Sequence, residues 1–201
     1  MKSIKVVFSI VVVAVLTSCS GSSGKKVLIM SSGKLTIDAQ DQKNIKLEPG
    51  TQHNEKEIIL TGDKETLNVQ TPDGNKTYEV NEPGSYLLNL KRDTLVGGMV
   101  KYGASARTSN LTGEDVDNII DSTQKLIQGQ NVSDESKTYF IVPFTIKKMS
   151  ASSDAKIVGP YNGIPGAVDA GSSGKMPEIY KLFTNKDKRE SLETLIKERK
   201  K

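Results

Sequence analysis

The sequence has one cysteine, one histidine and no tryptophan, and aromatic residues fill only 5% of its 201 positions. Each scarcity removes a class of function. A single cysteine cannot close an intrachain disulfide, so an oxidising compartment would add no staple. A single histidine, His53, excludes a zinc site built on several histidines. It stands between Gln52 and Asn54 in a turn-rich stretch and reads as an exposed loop residue. Few aromatic rings argue against a stacking platform for sugars or bases. No apolar run is long enough to span a bilayer as a helix. Val6 to Leu16, interrupted only by Ser9, would reach ~16 Å at ~1.5 Å per residue, about half of a hydrocarbon core.

Nucleotide chemistry is also missing. The stretch Gly171 to Lys175 superficially fits a phosphate-cradling loop. That loop requires glycine where Asp169 stands and serine or threonine where Met176 stands. Asp115, Asp117 and Asp121 lie near the start of an expected helix, where carboxylates already complement the helix dipole. The loop Asp134-Glu135 carries no calcium-binding pattern. Nothing in the spacing of the 24 acids singles out a catalytic pair. No cofactor and no metal is implied.

What is present starts at the amino terminus. Lys2 and Lys5 precede the apolar run, and Leu16-Thr17-Ser18-Cys19 closes it. A charged start, a short apolar core and small residues at the end describe a removable secretory signal. Leu16-Thr17-Ser18-Cys19 resembles the lipobox of bacterial lipoproteins, an aliphatic residue and two small residues before a cysteine. That resemblance implies cleavage between Ser18 and Cys19, diacylglycerol on the Cys19 thiol, and acylation of the new amino terminus. Two or more acyl chains anchor stably. Ser20, rather than Asp, follows the cysteine, which resembles the pattern of lipoproteins sent to the outer membrane. The expected location is the outer membrane, facing the periplasm. Residues 1–18 would be the signal peptide and residues 19–26 the lipidated tether, rich in glycine and serine. Cleavage removes two lysines, so the formal charge falls from +4 to +2. That balance gives no argument for nucleic acid.

The expected fold class is α+β. Residues 27–105 read as an antiparallel β-sandwich or barrel-like domain, and residues 110–201 as a small α+β region ending in a helix. Val27 to Met30 forms a strand ended by Ser31-Ser32-Gly33, and Glu48-Pro49-Gly50 reads as a turn. Ile58-Ile59-Leu60 reads as a strand buried on both faces. From 65 to 91, alternation broken by Pro72-Asp73-Gly74 and Pro83-Gly84 predicts a three-stranded antiparallel meander. Leu95 to Tyr102 adds a strand in which Gly97-Gly98 marks a bulge or a close backbone approach. The domain boundary falls in 103–110.

Thr112-Gly113-Glu114-Asp115 looks like a capping box opening a helix that Gly129 stops. Thr138 to Lys147 reads as one strand disturbed by Pro143, and Ala155 to Val158 as another. Pro177 opens a short helix carrying Ile179, Leu182 and Phe183. Thr184 to Asp187 caps a second helix with a stripe of Leu192, Leu195 and Ile196. Its basic end is read as a solvated helix face.

These features point to a non-enzymatic, membrane-anchored envelope lipoprotein that acts as a protein-interaction or structural module. Its partners would be the membrane, through lipid on Cys19, and an envelope protein or cell-wall glycan. The alternatives are a glycan- or solute-binding lipoprotein, or a hydrolase with an unmarked site. The loop chosen for a ligand or partner is Gly159, Pro160, Tyr161 and Asn162, which sets one aromatic among rigid turn residues.

Overall fold

The computed structural model describes residues 24–100, 112–170 and 174–199. Cys19, Ser18 and the rest of the signal and tether through residue 23 lie outside them, as do residues 103–110 and most of the Gly171 to Gly174 loop.

Ten strands and two helices follow in chain order: β1 (Lys25–Ile37), β2 (Asn44–Leu60), β3 (Glu65–Thr71), β4 (Gly74–Val80), β5 (Gly84–Leu90), β6 (Leu95–Val100), α1 (Gly113–Ile127), β7 (Thr138–Ile141), β8 (Thr145–Ser150), β9 (Lys156–Val158), β10 (Ile179–Thr184) and α2 (Asn185–Arg199). The first sheet has six strands in the order β4-β3-β2-β1-β5-β8 and is barrel-like, nearly closed. The second has four, β7-β6-β10-β9. The class is α+β with strand dominant.

β1 and β5 lie side by side, parallel, at the centre of the larger sheet. Alternation sends Val27 and Ile29 of β1, with Tyr86, Leu88 and Leu90 of β5, into the barrel interior. Leu28, Met30 and Leu87 point the other way. They form a second core with Leu95, Tyr139, Tyr180 and Leu182 of the smaller sheet. Both central strands are therefore buried on both faces, and each such Leu or Ile contributes roughly 1.5–3 kcal/mol. Gly97 on β6 lies against the Lys181 carbonyl of β10, where a Cβ would clash. The expected close approach at Gly97-Gly98 is thus where the two backbones of the smaller sheet meet.

The helices pack on each other and on β6, β7 and β10. Thr112 and Asp115 make the expected reciprocal capping box. α2 leaves β10 directly, with the Thr184 hydroxyl accepting from the Asp187 amide at 3.0 Å. Among the described residues no helix is long and apolar enough to cross a membrane.

Several expectations give way. The larger sheet is mixed rather than antiparallel, because β1 pairs with β5, and β2 with β3, in parallel. β3 and β4 form the expected hairpin, but β5 leaves the meander to pair with β1 and β8. The two-sided apolar surface of β5 requires a central position, which an edge beside β4 would not supply. Ser31-Ser32-Gly33 and Glu48-Pro49-Gly50 do not end strands. They form a bulge at which the β1–β2 pairing jumps from Gly33 opposite Pro49 to Ser32 opposite His53. Gly33 takes φ 106° there, a conformation that suits glycine alone. Ile59 is 61% exposed, so the strand around it is buried on one face only.

Thr138 to Lys147 is two strands in two sheets, with Pro143 at the corner between β7 and β8. The segment after Pro177 is the strand β10, not a helix. Ile179, Leu182 and Phe183 fit helical spacing, yet Tyr180 is fully buried too, as the inner position of a six-residue strand between β6 and β9 demands. Both sheets also cross the position assigned to the domain boundary: β5 pairs with β8, and β6 with β7 and β10.

Candidate functional site

The loop after β9 meets β2, the β5–β6 turn and β10 at one corner of the molecule. The bulge in β1–β2 makes this corner possible. Before it, Ile45 and Leu47 of β2 face the barrel interior; after it, Ile58 and Leu60 do. The inserted residues switch the parity of the strand. His53 and Glu55 consequently face outward, beside Met30, instead of into the apolar interior. His53 is thus a strand residue and not an exposed loop residue, its side chain only 18% exposed.

A chain of hydrogen bonds organises the corner. The His53 imidazole bonds through Nε2 to Glu55 at 2.7 Å and through Nδ1 to the Lys91 ammonium at 3.1 Å. An ammonium can only donate, so Nδ1 accepts and Nε2 carries the proton toward the carboxylate. The other Glu55 oxygen accepts from the Asn162 amide at 2.9 Å. The Lys181 ammonium donates to the carbonyls of Gly159 at 2.5 Å, Asn162 at 2.6 Å and Pro160 at 3.2 Å. Gly159 is buried against Glu55 and Met30, and a side chain there would displace the carboxylate.

All four residues of the chosen loop therefore meet at this corner, and Tyr161 is the one left outside. It is 60% exposed, yet its ring stands edge-on to His53 at 4.8 Å with the Lys91 ammonium 5.6 Å from its centroid. Burial pushes the Lys91 ammonium below the usual lysine range, against the opposing pull of Asp93, Asp187 and Glu55. Burial likewise lowers Lys181, with Glu55 opposing. Partial burial, then Asp187 and Asp93, raise the Tyr161 phenol, which stays a neutral donor and acceptor.

Beneath the corner, Asn89 is fully buried and fully bonded. Its amide donates to the carbonyls of Asp93 at 3.0 Å, Ile141 at 3.0 Å and Val142 at 3.2 Å, and its oxygen accepts from the Lys91 amide at 3.0 Å. One side chain thereby fixes Lys91 and joins the β5–β6 turn to the β7–β8 corner.

The chemistry of this arrangement is that of a held surface. Both His53 nitrogens, both Glu55 oxygens and the Lys181 ammonium are engaged within the fold. None of these groups is poised to take a proton from a substrate. Among the described residues no group of three or more His, Cys, Asp or Glu side chains is placed to hold a metal. Asp115, Asp117 and Asp121 do not converge: the first caps α1, the second meets Arg199, and the third pairs with Lys125.

A second feature is a cleft of about 610 Å³ over Tyr139, Ser150, Glu178 and Tyr180. Burial raises the Glu178 carboxyl, but hydrogen bonds from Lys137, Ser150 and Tyr180 outweigh it and hold the group below the usual range. That direction is opposite to the one a general acid requires. Burial and the neighbouring carboxylate push the Tyr180 phenol far up.

Sequence reasoning picked the loop by its turn residues and missed His53, Glu55, Lys91 and Lys181. The only signal for them was Pro49-Gly50 opposite Ser32-Gly33, four turn-type residues that mark a bulge once the two strands are known to pair. Comparison with protein-family models finds no match, and searches of curated proteins and of solved structures find none either.

Proposed function

We propose that this chain is a lipid-anchored envelope protein that presents the Tyr161 loop to a protein partner. The observation that carries the reading is an exposed aromatic on a loop already held by hydrogen bonds to the Glu55 and Lys181 side chains. Binding through such a loop loses little conformational entropy, and tyrosine is enriched among residues that dominate interface energy. The groups around Tyr161 bond to one another, which favours a role in presentation over one in catalysis. The barrel-like N-terminal part is the scaffold in this reading, and the α+β part contributes the presented loop.

The anchor rests on Leu16-Thr17-Ser18-Cys19. Five residues lie between Cys19 and the start of β1 at Lys25, so that strand would begin within about 20 Å of the bilayer surface. The expected leaflet is the periplasmic face of the outer membrane.

The test uses a photocrosslinking residue at position 161 of the full chain in native membranes. A stoichiometric adduct with one envelope protein is expected. Adducts no stronger than those from the same residue at Lys64, in a turn of the larger sheet, would overturn the assignment of the surface. The anchor is tested separately: Cys19→Ser should abolish palmitate labelling and leave an uncleaved precursor, and a variant that still labels would refute the lipid reading.

A further inference from the structure

A second surface, on the outer face of β1 to β4, is built differently and stands apart from the Tyr161 reading. The strand register there is unbroken across four strands. Thr36 lies opposite Lys46, Lys46 opposite Gln70, and Gln70 opposite Asn75, so these four form one row. In the next row Asn44 lies opposite Asn68, and Asn68 opposite Thr77. Asp38 extends that row past Asn44, whose carbonyl accepts from the Asp38 amide at 3.2 Å. All of these residues are exposed, and they line a groove of about 720 Å³.

A polar outward face is what any solvated sheet carries. Two observations set this one apart. The face is concave, with a volume in the ~300–1,000 Å³ range typical of ligand sites. Its side chains are also mostly uncharged and unspent. The side chains of Thr36, Gln70, Asn75 and Thr77 make no hydrogen bond or ion pair among the described residues. Asn68 makes one long bond, to Asn44 at 3.4 Å. The row beyond, Lys34 opposite Glu48, reverts to charge.

We infer that this groove is a binding site for a hydroxyl-rich, uncharged glycan chain. Each amide offers donors and an acceptor, and each threonine hydroxyl offers both, which is what a sugar hydroxyl requires. Neighbours within a row lie ~4.8 Å apart from strand to strand and successive rows ~7 Å apart along a strand, which places such groups at intervals comparable to a sugar ring. Asp38 offsets one of the two lysines that line the groove, Lys46 and Lys76, and the single positive charge left over disfavours nucleic acid and other polyanions. The groove lies on the sheet face rather than along the free edge of β4, which disfavours an added peptide strand. No aromatic ring lines the groove, so affinity rests on hydrogen bonds, and a dissociation constant on the order of 1 mM is expected.

The test is saturation-transfer NMR on the full chain in detergent. The probes are maltohexaose, cellohexaose and chitohexaose, with inorganic phosphate as the charged control. At least one hexasaccharide should receive saturation, and the double variant Asn68→Ala/Gln70→Ala should weaken it at least tenfold with an unchanged circular-dichroism melt. Preference for chitohexaose would point to amino-sugar glycans of the wall type, and preference for the other two to neutral polysaccharides. Silence with all three hexasaccharides, a response to phosphate alone, or saturation that survives in the double variant would each overturn the inference. Should the double variant unfold, Asn75→Ala/Thr77→Val on the edge strand β4 carries the same criterion. A Tyr161→Ala chain should bind the glycan unchanged, so failure here leaves the Tyr161 reading untouched.

Discussion

The Tyr161 corner and the β1–β4 groove are both polar, and they handle polarity in opposite ways. At the corner, Lys91, His53, Glu55, Asn162 and Lys181 use their donors and acceptors on one another and on the backbone. In the groove, the side chains of Thr36, Gln70, Asn75 and Thr77 have no hydrogen-bond partner among the described residues. The difference follows from burial. A half-buried ammonium or carboxylate left unpaired would be costly, so the corner must satisfy itself. Exposed amides are satisfied by water and remain available to a ligand that displaces it. The corner is therefore suited to hold a shape, and the groove to exchange hydrogen bonds.

The largest test of that contrast removes the foundation of one region only. Asn89→Ala leaves three carbonyls and the Lys91 amide without their partner in a buried corner. A loss of about 3 kcal/mol in chemical denaturation is expected, more than a typical substitution costs. Amide exchange should rise at Lys91 to Asp93 and at Ile141 to Val142, while β3 and β4 stay as protected as before. Equal loosening of both regions would show that the corner is not a separate unit.

Next in size is Lys181→Met, which removes three charge-assisted bonds to the loop and keeps most of the stem. A cost of about 1–2 kcal/mol is expected, because relief of lysine desolvation offsets part of the loss. The sharper readout is local. Exchange protection at 159–162 should fall, and photocrosslinking from position 161 should weaken although Tyr161 is intact. Unchanged crosslinking would mean that rigidity of the loop contributes nothing to recognition.

Acid separates the smaller sheet from the groove by a smaller amount. The folded state holds the Glu178 carboxyl below its ordinary value of 4.5. Its stabilisation is therefore fully present above about pH 4.5 and is lost as pH falls through the lowered folded value. Glu178→Gln should remove that segment of the acid-unfolding curve and leave the curve above pH 6 parallel to that of the parent chain. A Glu178→Gln curve that still follows the parent below pH 4 would show that Lys137 and Tyr180 gain nothing from the charge.

Much of this architecture is legible in the residues, and the illegible part has a physical pattern. The Thr112 capping box, the Pro72-Asp73-Gly74 hairpin and the Gly97-Gly98 contact are encoded locally, by a side chain or a missing side chain. β10 reads as a helix because Ile179, Leu182 and Phe183 fit helical spacing, and six residues are too few for the buried alternation of Tyr180, Leu182 and Thr184 to stand out. The partners of β5 are non-local, and two-sided burial announces a central strand without naming its neighbours. The candidate loop was visible through Gly159, Pro160 and Asn162. Its supports were hidden because a bulge in β2, more than a hundred residues earlier, decides that His53 and Glu55 face it.

Tyr161→Ala should have the smallest effect on the fold and the most selective effect on function. The ring is 60% exposed and makes only an edge contact with His53 and a distant cation contact with Lys91, so its removal should change stability by less than about 0.5 kcal/mol. Glu55, Asn162 and Lys181 keep every one of their bonds, and the loop keeps its course. A partner that recognises the presented aromatic would nonetheless lose at least ~2 kcal/mol of affinity, the scale of a central interface residue. The result is diagnostic only beside Tyr161→Phe, which retains the ring and drops the hydroxyl. Recovery by phenylalanine would assign recognition to the apolar face that His53 and Lys91 hold in place. Failure of phenylalanine to recover it would move the decisive contact to the phenol, which burial and the nearby Asp187 and Asp93 keep protonated. Loss of glycan binding in either variant would erase the distinction between the two surfaces, because no atom of Tyr161 lines the groove.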